Sequence, residues 1–410
     1  MKRLIISGIL LPVLCAHLMA QQGQTPVEQS NTNRFTFGVI GDVQVDNTVE
    51  LGYAVRSLFT ELQHPKPWSF ALFMGDLVND NTDLFPPMVN QLDRLPFPYR
   101  NVFGNHDRTI ADNQPRTADF DQHFSTSTYA FTKGKTHFLV LNNIVPKGKY
   151  GYEGFYNEEQ RRFVADELRS MPKDRLVIIA QHIPLMQTKN PEALTDLLQG
   201  RRVLMLSGHT HTVARYQHPL KDGFLHELVA GAACGSWWTG EKDVFGIPAA
   251  LMSCGSPRNY FEVEVADTSF RLTFKGIGLD TGHQMHVWVA GHDTIDKQVA
   301  DLDTVPGGTV LATIYAGFDQ TAVWMQLDDE APVRMNHVKR VAPLVARVAA
   351  FNKSNVYPTK HSTRLPLRSR PSNHVWQAQV PLNKKWHRIR IFAEDACGFK
   401  ANGYYLNPAL

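Results

Sequence analysis

Apolar and polar positions along the first two thirds of the chain follow two alternating patterns. Short apolar runs typical of buried strands occur at "FTFGVIG", "WSFALFM", "YRNVF", "RLVIIAQ" and "RVLMLSG". Between them lie segments with apolar residues at helical spacing, such as "VELGYAVRSLFTEL" and "PEALTDLLQ". A further helix is predicted to begin at Asn157, because Gln160 three residues later completes a capping-box pattern. This alternation predicts an α/β domain over residues 35–276.

The pattern changes after about residue 276. The segments "QMHVWVAG", "TVLATIYAG", "TAVWMQL", "VWQAQV" and "HRIRIFAED" are short strand-like runs that turn-rich segments separate. No convincing helical spacing accompanies them. Residues 277–410 are therefore predicted to form a smaller β-sandwich domain without helices.

The N-terminus has the layout of an export signal. Two basic residues, Lys2 and Arg3, precede a mostly apolar stretch over residues 4–16. This pattern predicts a signal peptide over residues 1–20, followed by a polar leader over residues 21–34. We expect an exported protein, periplasmic or secreted, and no later segment has the length of a transmembrane helix.

Composition and cysteine content narrow the classes of protein further. The 410 residues are 43% hydrophobic and 20% charged, and the net charge of +3 is too small to indicate nucleic-acid binding. Removal of Cys15 with the signal leaves Cys234, Cys254 and Cys397. An odd number of cysteines defines no disulfide framework, so buried free thiols are preferred over a Cys234–Cys254 disulfide.

Each of five apolar strands is followed by residues of metal-binding types. In chain order these are Asp42 with Gln44, Asp76, Asn105 with His106 and Asp107, His182, and His209 with His211. Ligands of open α/β sheets gather where strands end, so we expect these side chains to converge on one crevice. Histidines together with carboxylate and amide oxygens suit Mn, Fe or Zn better than Ca, which prefers oxygen alone.

The ordered motifs "GDVQ", "GDLVND", "GNHD", "QHIP" and "GHTH" resemble those of the calcineurin-like metallophosphoesterase family over residues 35–276. The resemblance implies an α/β fold, an αββα sandwich of two mixed sheets, here with a smaller C-terminal β-sandwich. It also implies two divalent metal ions, with Mn, Fe or Zn as candidates. By matching position, one metal takes Asp42, Gln44, Asp76 and His211, and the other takes Asp76, Asn105, His182 and His209. The family usually has histidine where Gln44 stands, although an amide oxygen can still coordinate a cation.

The resemblance also implies a mechanism. A hydroxide that bridges the two metals attacks phosphorus in line, while the metals neutralise the phosphate oxygens. His106 assists the leaving oxygen, and the resemblance assigns the orientation of His106 to Asp107. The expected activity is therefore that of a dinuclear-metal phosphoesterase.

The two adjacent tryptophans allow two interpretations. The stretches "GSWW" and "SPRNY" resemble secreted bacterial members of the family that carry an extra C-terminal β-domain. Trp237 and Trp238 are candidates for the wall of a substrate cleft. Ordinary packing between the two domains explains them equally well.

Three functions are compatible with these motifs. A phosphodiesterase acting on a small-molecule, lipid or glycan phosphoester is the preferred hypothesis. The alternatives are a phosphomonoesterase acting on an exported substrate and a glycan-binding or wall-binding protein led by the C-terminal β-domain. A non-catalytic scaffold of the same fold is disfavoured, because no ligand position is apolar and His106 is present.

Overall fold

The computed structural model describes residues 33–111, 114–353 and 367–407, and strands provide most of its regular structure. Up to residue 276 the strands are β1 (Arg34–Ile40), β2 (Trp68–Phe73), β3 (Tyr99–Asn101), β4 (Tyr129–Lys133), β5 (Thr136–Leu141), β6 (Ile144–Lys147), β7 (Gly151–Gly154), β8 (Leu176–Gln181), β9 (Arg202–Ser207), β10 (Val213–His218), β11 (Phe224–Ala230), β12 (Asn259–Ala266) and β13 (Ser269–Gly276). The later strands are β14 (Met285–Val289), β15 (Thr309–Ile314), β16 (Ala322–Leu327), β17 (Val333–Arg334), β18 (Asn336–Arg340), β19 (Ser372–Gln379), β20 (Arg388–Glu394) and β21 (Lys400–Leu406).

Short helices connect and cover these strands. They are α1 (Thr48–Ala54), α2 (Thr60–Leu62), α3 (Phe85–Leu92), α4 (Ala118–Phe124), α5 (Glu158–Arg169), α6 (Glu192–Thr195), α7 (Ala300–Asp303) and α8 (Pro343–Lys353). A π-helical turn, Val55–Phe59, joins α1 to α2. The capping box predicted from Asn157 and Gln160 is present at the start of α5. No described helix has the length and apolarity that crossing a membrane requires.

Two mixed sheets form the first part of the fold. One has the strand order β13-β12-β1-β2-β3, and the other has the order β10-β11-β9-β8-β5-β4. In the first sheet β1, β2 and β3 run parallel, whereas β12 pairs with β1 antiparallel from Arg34 opposite Ala266. In the second sheet β5, β8, β9 and β11 run parallel. Parallel strands end at a common edge, which is where loops can share a site.

The two sheets pack face to face, and helices cover their outer faces. Phe37 of β1 meets Phe138 of β5 edge-on, with ring centroids 5.5 Å apart. On the far side of the second sheet, Val164 and Leu168 of α5 pack in one apolar cluster with Val177 and other strand residues. The αββα sandwich predicted from the resemblance is confirmed.

A second pair of antiparallel sheets follows, with strand orders β14-β15-β19-β18 and β17-β16-β20-β21. The prediction that residues 277–410 contain no helix is wrong, because α7 and α8 lie among these strands. In α8, "PLVARVAAFNK" begins with proline at the first helical position and continues with alanines, both favourable to a helix. Its buried residues include Val345, Ala346 and Ala349.

Buried polar contacts join the two pairs of sheets. The guanidinium of Arg215 in β10 contacts both carboxylate oxygens of Asp395, at 2.8 and 3.1 Å. The ring of His374 in β19 lies 2.8 Å from the carbonyl oxygen of Val213 and 3.0 Å from that of Ile314. Because the two parts share this interior, a domain boundary at residues 276/277 stays a prediction.

Two sequence predictions concern the ends and the thiols of the chain. The predicted signal peptide, residues 1–20, lies outside the described residues, as does the leader up to residue 32. Arg34, the last residue of the predicted leader, already belongs to β1. Cys234, Cys254 and Cys397 are buried and form no disulfide with one another, which confirms the preference for thiols over a Cys234–Cys254 disulfide.

Candidate metal centre

The predicted site residues lie on loops that leave the carboxyl ends of parallel strands. β1 ends at Ile40, β2 at Phe73 and β3 at Asn101 in the first sheet. β8 ends at Gln181 and β9 at Ser207 in the second. Since the two sheets pack face to face, these five ends meet at one edge of the sandwich.

Asp76, His182 and His209 form the centre of this group. Their ligand atoms all lie within 4.8 Å of one another. Nε2 of His182 is 3.3 Å from Oδ2 of Asp76 and 3.1 Å from Oδ1 of Asn105. Asp76, Asn105 and His182 are almost fully buried, which keeps water from competing for their polar atoms. The spacing and the donor types fit a divalent transition metal.

Asp42 and His211 adjoin this centre. The carboxylate of Asp42 accepts hydrogen bonds from the backbone N–H of His209, at 3.0 and 3.1 Å. Nε2 of His211 lies 3.8 Å from Oδ1 of Asp42. The structure thus brings together residues that are more than 160 positions apart in the chain.

Gln44 also lies at this site. Its backbone N–H donates to the carbonyl oxygen of Asp76 at 2.8 Å, and its Nε2 donates to Oδ1 of Asn79 at 3.0 Å. Oε1 of Gln44 is buried and has no hydrogen-bond partner among the described residues. A buried carbonyl oxygen without a partner is destabilising unless something fills that position. A metal ion at this oxygen would satisfy it, so Gln44 fits the ligand role.

Two histidines are oriented by backbone carbonyls. Nδ1 of His182 lies 2.8 Å from the carbonyl oxygen of Met74, and Nδ1 of His211 lies 2.7 Å from that of Gly235. If Nδ1–H donates in each case, Nε2 is left as a lone-pair donor facing the site. This arrangement is the usual outer support of a metal-binding histidine.

Left-handed backbone conformations concentrate in this region. The φ angles of Gln44, Asp76, His209 and His211 are +37°, +50°, +73° and +50°. Residues other than glycine are uncommon at such angles, and each costs about 1–3 kcal/mol when strained. Strain of this kind persists where the surrounding structure enforces it, which supports a functional role for these loops.

Gly104 allows a very close approach of two loops within the site. A Cβ added there would lie 2.0 Å from the backbone nitrogen of Asp76 and 2.2 Å from its Oδ1. No side chain fits in that space. The glycine in "GNHD" therefore lets the loop after β3 contact the loop after β2 directly.

His106 lies beside the group rather than within it. Its backbone N–H donates to Oδ1 of Asp76 at 2.7 Å, and its Nδ1 is 3.1 Å from Oδ2 of Asp80. Oδ1 of the same Asp80 carboxylate pairs with Nη2 of Arg108 at 2.9 Å. Burial alone would lower the pKa of His106, but the hydrogen bond to Asp80 and the charge of Asp76 raise it above its ordinary value.

The structure gives Asp107 a different position from the one the resemblance implies. Its carboxylate is fully buried and accepts from the backbone N–H groups of Leu77, Val78 and Gly104, at 2.8, 3.2 and 3.0 Å. It therefore holds two loop backbones together, while Asp80 contacts the His106 ring. The physical reason is local: Asp107 points into the loop interior, where amides compete for its oxygens.

Burial shifts the pKa of four further groups. It raises the pKa of Asp42 to about 7 and that of Asp107 to about 7. It lowers the pKa of His209 to about 3 and that of His211 to about 4, so both imidazoles are neutral at neutral pH. For Asp76, burial opposes ionisation, but the neighbouring His182 outweighs it and lowers the pKa.

The two tryptophans separate in the structure. Trp237 is stacked on the ring of His211, with centroids 4.3 Å apart, and is 41% exposed. Trp238 is buried, and its Nε1 donates to the carbonyl oxygen of Val43 at 3.0 Å. Trp237 thus faces solvent beside the site, whereas Trp238 supports the loop that carries Gln44. A role for either in substrate binding stays a prediction.

Sequence reasoning missed three residues that shape the site. Asn79 holds the amide of Gln44, and Asp80 contacts both His106 and Arg108. A signal was available, since Asn79 and Asp80 end the motif "GDLVND" and Arg108 directly follows "GNHD". Asp80 also has a φ of +57°, like the predicted ligands.

Comparisons with known proteins identify the family of this chain. The model of the family "Calcineurin-like phosphoesterase" matches residues 35–213, and that of "C terminal of Calcineurin-like phosphoesterase" matches residues 227–400. A "Probable cyclic nucleotide phosphodiesterase" of Moraxella catarrhalis (strain BBH18) is 36% identical over 84 residues. That match spans 19% of this chain and 30% of the relative.

Similar solved structures include two phosphatases. A dimetal phosphatase from Danio rerio is 14% identical, with a TM-score of 0.38, and the similarity covers 58% of this chain and 98% of that one. A purple acid phosphatase from yellow lupin (Lupinus luteus) seeds is 13% identical, with a TM-score of 0.39. That similarity covers 59% of this chain and 51% of the phosphatase. The two family matches together extend from residue 35 to residue 400 and include every predicted metal ligand. The chain belongs to the calcineurin-like phosphoesterase family of phosphoester hydrolases.

Proposed function

We propose that this protein is a metal-dependent phosphodiesterase. The observation that carries the proposal is the convergence of Asp76, His182 and His209, with ligand atoms within 4.8 Å of one another, beside a histidine that is not part of that group. The name of the Moraxella relative, a cyclic nucleotide phosphodiesterase, supports the diester preference. The relative matches only a part of this chain, so its substrate is not transferred.

The proposed ligands form two overlapping sets. The first set is Asp42, Gln44, Asp76 and His211, and the second is Asp76, Asn105, His182 and His209. When bound, two divalent metals would supply the charge that neutralises phosphate oxygens and would make a water molecule nucleophilic near neutral pH. Asp76 belongs to both sets, and its contacts with both His182 and His106 suit that central position.

His106 is proposed to hold the proton that the leaving oxygen receives. Its ring is tethered through Nδ1 to Asp80, which leaves Nε2 to face the substrate. The carboxylate of Asp80 favours the protonated ring, as a general acid requires. Arg108 in turn holds Asp80 through the other oxygen, so the proton donor rests on a chain of ion pairs.

A substrate panel with defined metals tests the proposal. Hydrolysis of bis-p-nitrophenyl phosphate is compared with that of p-nitrophenyl phosphate after chelation by EDTA and readdition of Mn²⁺, Fe²⁺ or Zn²⁺. We expect activity to vanish on chelation, to return with metal, and to favour the diester. Asp76→Asn should abolish both activity and metal retention, whereas Asp174→Asn, at an exposed carboxylate, should change neither.

Each other outcome has a defined meaning. Preference for the monoester would make the protein a phosphomonoesterase. Activity unaffected by chelation and readdition would overturn the metal mechanism. Absence of turnover, combined with glycan binding by the intact protein, would favour a binding function led by the later strands.

We further propose that the protein acts outside the cytoplasm. The proposal rests on the basic-then-apolar pattern of residues 1–20. Fractionation of expressing cells should find the protein shortened at its N-terminus in the periplasm or medium. Full-length protein in the cytoplasm would contradict it.

A further inference from the structure

A cavity of about 140 Å³ opens beside the candidate metal centre. It lies between the loop after β3 and the hairpin of β6 and β7, and Asn105 forms part of its wall. The ring of Tyr152, also in the wall, is 5.7 Å from that of His209. The cavity is therefore close enough to the candidate metal centre to hold one arm of a substrate whose phosphorus lies at that centre.

The described charged residues of the cavity wall are all basic. Arg108, Arg116 and Lys149 line it, and within the described part of the chain its lining residues include no aspartate or glutamate. Phe103, Ile144 and other apolar groups complete the wall. Apolar walls strengthen the field of the cations, because they exclude water that would screen it.

Arg108 points to a missing partner. It is only 6% exposed, its Nη1 donates to the carbonyl oxygen of Tyr150 at 2.7 Å, and its Nη2 pairs with Asp80. Its Nε is buried and has no hydrogen-bond partner among the described residues. Leaving a buried donor of a charged group unpaired is unfavourable, so an acceptor in the cavity would be bound.

We propose that this cavity binds an anionic group, phosphate or carboxylate, carried on one arm of the diester substrate. The inference rests on the proposed function and names a substrate class within it: diesters with a second negative charge one short linker away from the scissile phosphorus. The volume is below the roughly 300–1,000 Å³ of pockets that enclose drug-sized ligands. It suits a single compact anion rather than a whole nucleoside.

Three matched diesters test the proposal. Each has p-nitrophenol as the leaving group, and the other arm is propyl, 2-carboxyethyl or 2-(phosphonooxy)ethyl. We expect KM for both anionic arms to be about tenfold or more below that for propyl, with kcat nearly unchanged. A difference between the carboxylate and phosphate arms identifies which anion the substrate carries.

Two lysines of one hairpin provide the matched variants. Lys149→Ala removes a cation of the cavity wall, and it should abolish the advantage of the anionic arms while leaving the propyl diester unaffected. Lys147→Ala removes a cation two residues away that pairs with Glu153 and does not line the cavity. This second variant should retain the full preference.

A binding measurement separates this inference from the proposed function. Calorimetry with the metal-loaded protein compares 2-carboxyethyl phosphate with propyl phosphate, without turnover. Tighter binding of the anionic compound by wild type, lost in Lys149→Ala, supports the cavity assignment even if no diester is hydrolysed. Equal KM and equal binding for charged and neutral arms would overturn it, whether or not diesters are substrates.

Discussion

At the scale of single residues, His106 has the most specific chemical role proposed here. It contacts Asp76 through its backbone and Asp80 through its ring, and it is absent from both proposed ligand sets. A proton donor can therefore be removed without removing a metal ligand. This separation makes the role of His106 testable independently of metal binding.

His106→Ala is expected to lower kcat by about 10²–10⁴-fold for diesters with poor leaving groups, the usual contribution of a general acid. The effect should be small for p-nitrophenyl esters, whose leaving oxygen needs little protonation. Steady-state kinetics with an alkyl and an aryl diester, together with metal analysis, measure both. Wild-type rates on the alkyl diester would remove His106 from the mechanism.

Asp80→Asn provides the corresponding check on orientation. It keeps the size of the side chain but removes the charge that faces His106, so a smaller decrease of kcat in the same direction is expected. The exposed Asp83, three residues along the chain, gives the control Asp83→Asn, which should be silent.

The sequence could predict the ligand types but not their supports. Asp42, Asp76 and His182 are recognisable because each follows a buried apolar strand, and strand ends converge in this class of fold. Asp80 and Arg108 lie a few residues further on, and their contacts depend on left-handed loop conformations that no apolar pattern encodes. The role that the resemblance implies for Asp107 does not match the structure, because the backbone N–H groups of Leu77, Val78 and Gly104 occupy its carboxylate oxygens.

At the scale of elements, the site depends on close contact between two strand-end loops. Gly104 after β3 leaves no room for a Cβ against Asp76 after β2. The two strands are parallel neighbours, so the distance between their ends is fixed by the sheet. The loops cannot separate without disturbing the sheet itself.

Gly104→Ala is therefore expected to lower both the free energy of unfolding, by about 1–3 kcal/mol, and metal retention, because the new methyl displaces Asp76. Urea unfolding and metal analysis measure the two effects. Gly52→Ala, in α1, is the control. Its new Cβ would meet only the flexible end of the Arg56 side chain, 3.2 Å from Nη1, so the variant should be neutral or stabilising by up to about 1 kcal/mol. Full metal retention in Gly104→Ala would contradict the argument.

Predictions of elements succeeded where patterns were regular. The capping box predicted from Asn157 and Gln160 is present at the start of α5. The helix α8 was missed because its valines and alanines among strand-like segments resemble a strand. Its helical form is fixed by burial of one face, including Val345 and Ala349, against the later sheets.

At the scale of the whole molecule, Arg215 links the two pairs of sheets and also contacts His226. Nε of Arg215 donates to Nε2 of His226 at 3.1 Å, so that histidine is an acceptor and neutral. Burial, together with the charge of Arg215, lowers the pKa of His226 to about 2 from an ordinary value of 6.5.

This depressed pKa predicts a loss of stability in acid. Below about pH 6.5 the unfolded chain binds a proton at His226 that the folded chain does not bind until about pH 2. Across that window the free energy of unfolding therefore decreases by roughly 1.4 kcal/mol for each unit by which the pH falls. Between about pH 7.5 and about pH 5, wild type should lose up to about 2 kcal/mol more than His226→Gln, which keeps an acceptor for Arg215. Urea unfolding at the two pH values measures this, and equal losses would refute it.

The antiparallel pairing of β1 with β12 has a consequence for folding during synthesis. The strand that leads to Asp42 leaves the ribosome well before β12, its antiparallel neighbour. Asn33 and Asp267, which are hydrogen-bonded at the end of this strand pair, are 234 positions apart. Until β12 has been synthesised, one edge of β1 has unpaired backbone N–H and C=O groups, which can pair with other chains and cause aggregation. A gene cut after residue 213, where the first family match stops, would leave that side permanently bare. We therefore expect such a fragment to accumulate as insoluble material, whereas the full-length chain is recovered in the soluble fraction.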